Sequence, residues 1–451
     1  MILIKSIKNI FKASLFAGCL NFLTLVLFLK YVNKYEYGNY LILFSLFAFA
    51  GRTLQGIDDI ILRFQNANLN NNFKKFLITA FFIKISFFIL ISVLCLVIIY
   101  QFPSLTIYTE KNISKILLFS TLLLSFLITI KTFLISSVYS KLLYKSVFKK
   151  NTLTSIINFI LTLILVAYFE ASVIYFIWMS ILLEVLQILL YADLVFQFIN
   201  KFQNRKKIMQ KKYFLFFYKN YVKSYALPLV GNNIFSYFNK DHGTNVVLGA
   251  VFGPQFVSII SISKLLFEFI HNFISNFIRK LYPVYLHYQK LNKIRANFFK
   301  KIFYFGNSFY FLICFILLFF KDYYFSFMRM ENTKTNILIF IIISFEFIFK
   351  FMPSYLGLSI PVSKKTIGLL ISNLFRTIVT WIFVFIGVYY NNILVCLLGH
   401  IFGIIVSTPI LYNFCQPIFK FNQIKILFLI QLFCFIFFII WLYIFLSNSI
   451  L

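Results

Sequence analysis

The chain has 451 residues, of which 61% are apolar and only 12% charged, and Lys and Arg outnumber Asp and Glu by 43 to 12. That balance excludes a soluble globular domain as the body of the protein. The basic excess does not imply nucleic acid, because the cytoplasmic loops of membrane proteins concentrate Lys and Arg.

Apolar runs long enough to cross a hydrocarbon core as helices recur from end to end, and they are continuous rather than alternating, which selects helices over a barrel. They fall at 13–32, 40–62, 76–100, 113–139, 152–169, 171–196, 222–249, 255–281, 302–320, 337–357, 366–389, 393–414 and 424–446. The pattern predicts an all-α polytopic membrane protein. The N-terminal MILIKSIKNIFK is basic and no small-residue cleavage site follows it, so it reads as a retained cytoplasmic end. With that end inside, the basic loops 141–150, 201–223, 279–301, 364–365 and 420–425 share the cytoplasmic side. The longest polar connection, 200–221, separates an N-terminal lobe (1–199) from a C-terminal lobe (222–415) of six spans each, with an added helix in 416–451. Transporters often consist of two such repeats with a substrate site between them, so the expectation is two pseudo-symmetric six-helix bundles around a central cavity. A weak internal echo supports duplication: YEYGNYLILFS with Gly38 and AVFGPQFVSII with Gly253.

There is no Walker A loop and no His-Glu-x-x-His, the four histidines are scattered, and the six cysteines lack the paired spacing of metal or redox motifs. The reading is a non-enzyme with no cofactor or metal. Its energy would come from a proton or sodium gradient, the membrane potential or removal of product.

The residues that stand out are ionisable side chains inside spans, each costly in hydrocarbon unless it faces a watery cavity or a partner. In GRTLQGIDDIILR, Arg52, Gln55 and Asp59 share a helix face, with Arg63 one turn on. That face suits either a cavity wall or a structural pair of Asp59 with Arg52 or Arg63. Lys84 and Arg376 have no evident partner within their own spans and are candidates for the cavity. Lys240 and Asp241, with Asn232, Asn233 and Asn239, interrupt the seventh span, and an interrupted helix at membrane depth is a pointer to a binding site. The eighth span carries Lys264, Glu268, His271, Asn272, Ser275 and Arg279 as a polar stripe; Lys264 and Glu268 either face the gap between halves or neutralise each other. Glu346 and Lys350, one turn apart before Pro353, read as a structural ion pair, and Glu184 with Asp193 likewise as structural. The pairs Gly249/Gly253 and Gly399/Gly403 have the spacing of close helix approach.

The first span KASLFAGCLNFLTLVLFLKYV, the Y-x-Y-G-x-Y element at 35–40 and the polar end GRTLQGIDDIILRF resemble the start of Wzx-type polysaccharide flippases. LPLVGNNIFSYFNKDHGTNVVLGAVFGPQFVSIISISKLLFEF is similar to that family's seventh and eighth helices. The resemblance implies the multidrug/oligosaccharidyl-lipid/polysaccharide exporter fold. It also implies an undecaprenyl-pyrophosphate-linked oligosaccharide as substrate, the bacterial inner membrane as location, O-antigen, capsule or other surface-polysaccharide assembly as setting, and polymerase and other assembly proteins as partners. By matching position, Arg52, Asp241 and Lys264 are the residues it carries over most directly. A polysaccharide polymerase or a multidrug or lipid exporter is the competing expectation; a polymerase would need a larger external loop, and a drug-cation antiporter a more acidic cavity.

Overall fold

The computed structural model describes residues 2–64, 73–101, 115–140, 144–201, 227–239, 241–290, 312–313, 316–359 and 367–415, and most of 429–440. The described residues contain α-helices and connecting turns and no strand. We number the helices α1 (Ile2–Tyr31), α2 (Lys34–Thr53), α3 (Gln55–Phe64), α4 (Phe73–Gln101), α5 (Lys115–Ser140), α6 (Tyr144–Tyr168) and α7 (Val173–Lys201). There follow α8 (Leu227–Phe238), α9 (Asp241–Phe252), α10 (Pro254–Lys290), α11 (Lys321–Phe327), α12 (Lys334–Ser359), α13 (Ile367–Tyr389) and α14 (Ile393–Cys415). Eight helices among the described residues are long and apolar enough to cross a membrane. The protein is a multi-pass membrane protein. The expected spans at 302–320 and 424–446 lie largely outside the described residues.

Two expected spans are broken. The run 40–62 is interrupted at Leu54, whose N–H bonds the Arg52 carbonyl at the end of α2 before α3 begins. The run 222–249 is split between Phe238 and Asp241. The second break is the interruption expected at Lys240 and Asp241, whereas the first falls within a run that reads as one continuous span.

Helix packing falls into two groups. Within the first, α1 packs on α6, α5 on α7, α6 on α7, and α2 and α3 on α5; within the second, α13 packs on α14, α12 on α14 and α10, and α8 on α13. The groups meet where α2 lies against α8, α9 and α10, α1 against α10, and α3 against α8. The α13/α14 hairpin shows how sequence sets this packing. Gly368, Ser372, Arg376, Thr380, Val384 and Gly387 form its buried stripe. A Cβ on Gly399 would come within 2.8 Å of the Thr380 carbonyl, and one on Gly403 within 2.9 Å of the Arg376 carbonyl. Small residues on both helices let the backbones meet, as the Gly399/Gly403 spacing predicts. A left-handed Asn391 ends α13, and the Asn392 side chain accepts from the Leu394 amide to start α14.

Helix α12 is buried on every side from Leu338 to Lys350. A helix apolar all round belongs in an interior rather than at the lipid face. Any charge it carries is therefore a charge in the core.

Candidate functional site

The break between α8 and α9 frees backbone groups at membrane depth, and such backbone persists only where protein groups satisfy it. Here α13 and α14 supply them. Thr377 Oγ1 donates to the Phe235 carbonyl at 3.0 Å, and Trp381 Nε1 to the Phe238 carbonyl at 3.0 Å. His400 Nδ1 lies 3.3 Å from the Asn239 carbonyl. Asn239, fully buried, donates through Nδ2 to Asn373 Oδ1 and Thr377 Oγ1, both at 3.3 Å, while Asn373 Nδ2 donates to Asn232 Oδ1 at 2.6 Å. Gly243 completes the fold-over, since a Cβ there would lie 2.7 Å from Phe238 Cα. The asparagines that mark this break were legible in the sequence, but their partners Asn373, Thr377, Trp381 and His400 were not: isolated polar residues in long apolar runs, they show their purpose only once the break faces them. Removing the Thr377 hydroxyl while keeping shape takes an acceptor from Asn239 Nδ2 and one of two donors from the Phe235 carbonyl, which the Asn239 N–H also reaches at 3.0 Å, at a cost of about 1 kcal/mol. Thr377→Val is expected to lower the unfolding temperature in detergent clearly more than Ile382→Val, whose parent residue is on an exposed face of the same helix.

On the opposite side of this break stands α2. Tyr237 OH donates to the Ser45 carbonyl at 2.7 Å, and Ser45 Oγ lies 3.2 Å from His242 Nδ1. Arg52, half-buried, lies near the end of α2, the helix that packs against α8, α9 and α10. It therefore fronts the seam between the two groups of helices.

Lys84 has a partner on another helix. Its ammonium, 1% exposed, donates to both Asp58 oxygens at 2.8 and 2.7 Å and to Thr132 Oγ1 at 3.1 Å. The triad ties α3 to α4 and α5. This pairing spans three elements and so leaves no local signature in the sequence. The side chain of Asp59, Lys240 and the side chain of Asp241 lie outside what the structure describes.

The eighth-span stripe also resolves across helices. Lys264 Nζ lies 3.7 Å from Glu346 Oε2, and Lys350 Nζ lies 3.6 Å from Glu346 Oε1. Lys350 also sits 4.4 Å above the Phe347 ring. Glu346 thus stands between two ammonium groups on α10 and α12. This cross-helix pairing links Lys264 of α10 and Lys350 of α12 through one carboxylate, while Glu268, four residues from Lys264, is half-buried on α10. Arg376 is buried with its stem against Gly403 of α14. Lys131 and Glu184 pair at 2.5 Å between α5 and α7. The sequence-predicted residues consequently occupy different contacts: Lys84 within the first group of helices, Arg52 at the seam, Lys264 between α10 and α12, and Arg376 between α13 and α14.

No protein-family profile and no curated protein matches the chain. Solved structures do. The chain is similar to the lipid II flippase MurJ in an inward closed conformation, with 19% identity, a TM-score of 0.60, and 97% of this chain and 99% of that one covered. It is similar to a MATE transporter in complex with MaD5 at 12% identity and a TM-score of 0.58, covering 93% and 96% of the two chains. A transporter of the MOP superfamily from Pyrococcus furiosus matches at 12% identity and a TM-score of 0.56, over 93% and 96%. The chain shares the fold of these membrane transporters. The two-bundle expectation drawn from the sequence agrees with that fold.

Proposed function

We propose that this protein is a flippase that carries an undecaprenyl-pyrophosphate-linked oligosaccharide across the bacterial inner membrane by alternating access, for surface-polysaccharide assembly. The lobes would be 1–199 and 222–415, joined by the cytoplasmic linker 200–221, with 416–451 as an added helix and the N-terminus inside. The observation that carries this reading is the sign of the buried charge. Among the described residues the buried cations are Lys84, Lys264, Lys350 and Arg376, against the buried carboxylates Asp58 and Glu346. An interior in which buried cations outnumber buried carboxylates suits an anionic head group that must leave water. A lateral opening between the helix groups would leave the polyprenyl tail in lipid while the head crosses.

Export of cationic drugs shares the fold but calls for an acidic interior. A polymerase of the same pathway draws no support from the fold likeness. Arg52 is the residue to test, since it fronts the seam. Arg52→Ala is expected to reduce surface polysaccharide by roughly tenfold or more, the loss of about 1.4 kcal/mol of interaction with the travelling head group, with membrane expression unchanged. Arg52→Lys should keep part of the activity if charge rather than a bidentate geometry is used. Full activity in Arg52→Ala would remove Arg52 from the substrate path.

A further inference from the structure

The two groups of helices also meet at one end of the molecule through a corner and a turn. The corner is the α1–α2 junction, where the Asn33 side chain accepts from the Tyr35 and Glu36 amides and so fixes the entry to α2. The turn closes α11. Its Met330 N–H bonds the Phe325 carbonyl at 2.9 Å and its Arg329 N–H the Ser326 carbonyl at 3.2 Å, the paired bonds of a Schellman cap with Arg329 at the left-handed position, φ 52°. Glycine is the usual occupant there, and an arginine carries a conformational penalty.

The corner engages both ends of that arginine. Lys34 Nζ donates to the Arg329 carbonyl at 2.6 Å, and the Arg329 guanidinium lies 4.8 Å from the centre of the Tyr31 ring. Lys30 Nζ lies 4.6 Å from the centre of the Phe327 ring. Beside them the backbones touch: a Cβ on Gly38 would fall 1.9 Å from the Pro254 carbonyl oxygen. The turn is bound to its own side, because Tyr324 OH donates to the Ile262 carbonyl of α10 at 2.5 Å and Asn336 Nδ2 to the Glu331 carbonyl at 2.9 Å. It cannot follow the corner if the two groups of helices part.

The clasp differs from the rest of the seam in kind. Arg329 and Tyr31 are exposed and Lys30 and Lys34 half-buried, so water can replace each of these contacts as it breaks. The Tyr237–Ser45 contact deeper in the seam is buried and has no such substitute. We propose that the α1–α2 corner and the α11–α12 turn are the gate on their side of the membrane, with Lys34 and Arg329 as its lock and the Gly38–Pro254 contact as its seat. The proposal rests on the transport reading for its purpose. Its test does not require a substrate.

The test uses the full chain with its own cysteines replaced and Ser45→Cys as reporter, in membrane vesicles of both orientations. The readout is the rate at which the reporter reacts with an impermeant maleimide; a lone Arg329→Cys identifies the side that carries the clasp. Lys34→Gln and Arg329→Gly should each raise the rate from the clasp side about fivefold, which corresponds to about 1 kcal/mol at room temperature. Arg329→Gly keeps the left-handed turn, so its effect isolates the guanidinium. Linking Lys34→Cys to Arg329→Cys with a short bifunctional thiol reagent, before the maleimide is added, should abolish the reaction from that side and leave the other side unaffected. A rate unmoved by both loosening and linking, or a link that blocks only the opposite side, overturns the gate. If the gate behaves as stated and no lipid-linked oligosaccharide is moved, the flippase reading fails and the gate stands.

Discussion

Lys84→Met alone should cost about 3–5 kcal/mol of stability, seen as loss of monodisperse protein in detergent and a collapse of the unfolding temperature. The ammonium it removes is held by both oxygens of Asp58 and by Thr132, with exposures of 1% and 6% at the two charged side chains. Water does not reach a carboxylate in that position well enough to take the place of the lysine. The reverse experiment separates charge burial from packing. A double variant, Asp58→Leu with Lys84→Met, replaces the pair by apolar groups of similar bulk and should recover most of the loss, because a buried pair is worth little net once both desolvation penalties are counted. If the single variant is as stable as its parent, the triad does not hold α3 to α4 and α5. If the double variant is folded but inactive, the pair serves the transport cycle rather than assembly.

Glu346→Gln is expected to have a comparable effect for a different reason. It leaves Lys264 and Lys350 in place and removes the carboxylate they share at 3.7 and 3.6 Å, in a stretch of α12 with no exposed residue from Leu338 to Lys350. Two like charges then occupy one buried contact, and a loss of about 3 kcal/mol or more follows. Adding Lys350→Met to Glu346→Gln returns the contact to a single positive charge and should restore much of the unfolding temperature. Lys264→Ala, by contrast, still leaves Lys350 beside Glu346 and should be the mildest of these changes. Thermal unfolding of the purified variants ranks them, and a Glu346→Gln protein indistinguishable from its parent would show that the carboxylate is not what compensates the two lysines.

Composition was enough to read the membrane class and most span positions, because about twenty apolar residues in a row leave the backbone one solution in lipid. The break in the seventh span was legible for a local reason: Asn239, Lys240 and Asp241 place three polar residues where an unbroken helix would face hydrocarbon. The break at Leu54 was not, since GRTLQGI holds neither proline nor a cluster of turn residues and its polar side chains read equally well as a helix face. Pairings across helices were the least legible part. Lys264 has Glu268 four residues away in sequence, but its contact with Glu346, 82 residues on, arises only because α10 packs on α12. Lys84 finds Asp58 by the same route. The connection 321–336, between the expected spans 302–320 and 337–357, holds α11 and buries Tyr324, Phe325 and Met328. The run DYYFSFM carried that signal, three apolar positions within one turn and a half of helix, but it is too short to register as a span.

Deletion of the gene in its host, followed by leaflet-resolved detection of undecaprenyl-linked oligosaccharide, tests the central claim most directly. The account predicts complete single units accumulating on the cytoplasmic leaflet with none outside, and recovery on return of the intact gene but not of Arg52→Ala. Single units that still reach the outer leaflet and stay unpolymerised, or glycans that do not change at all, would contradict it.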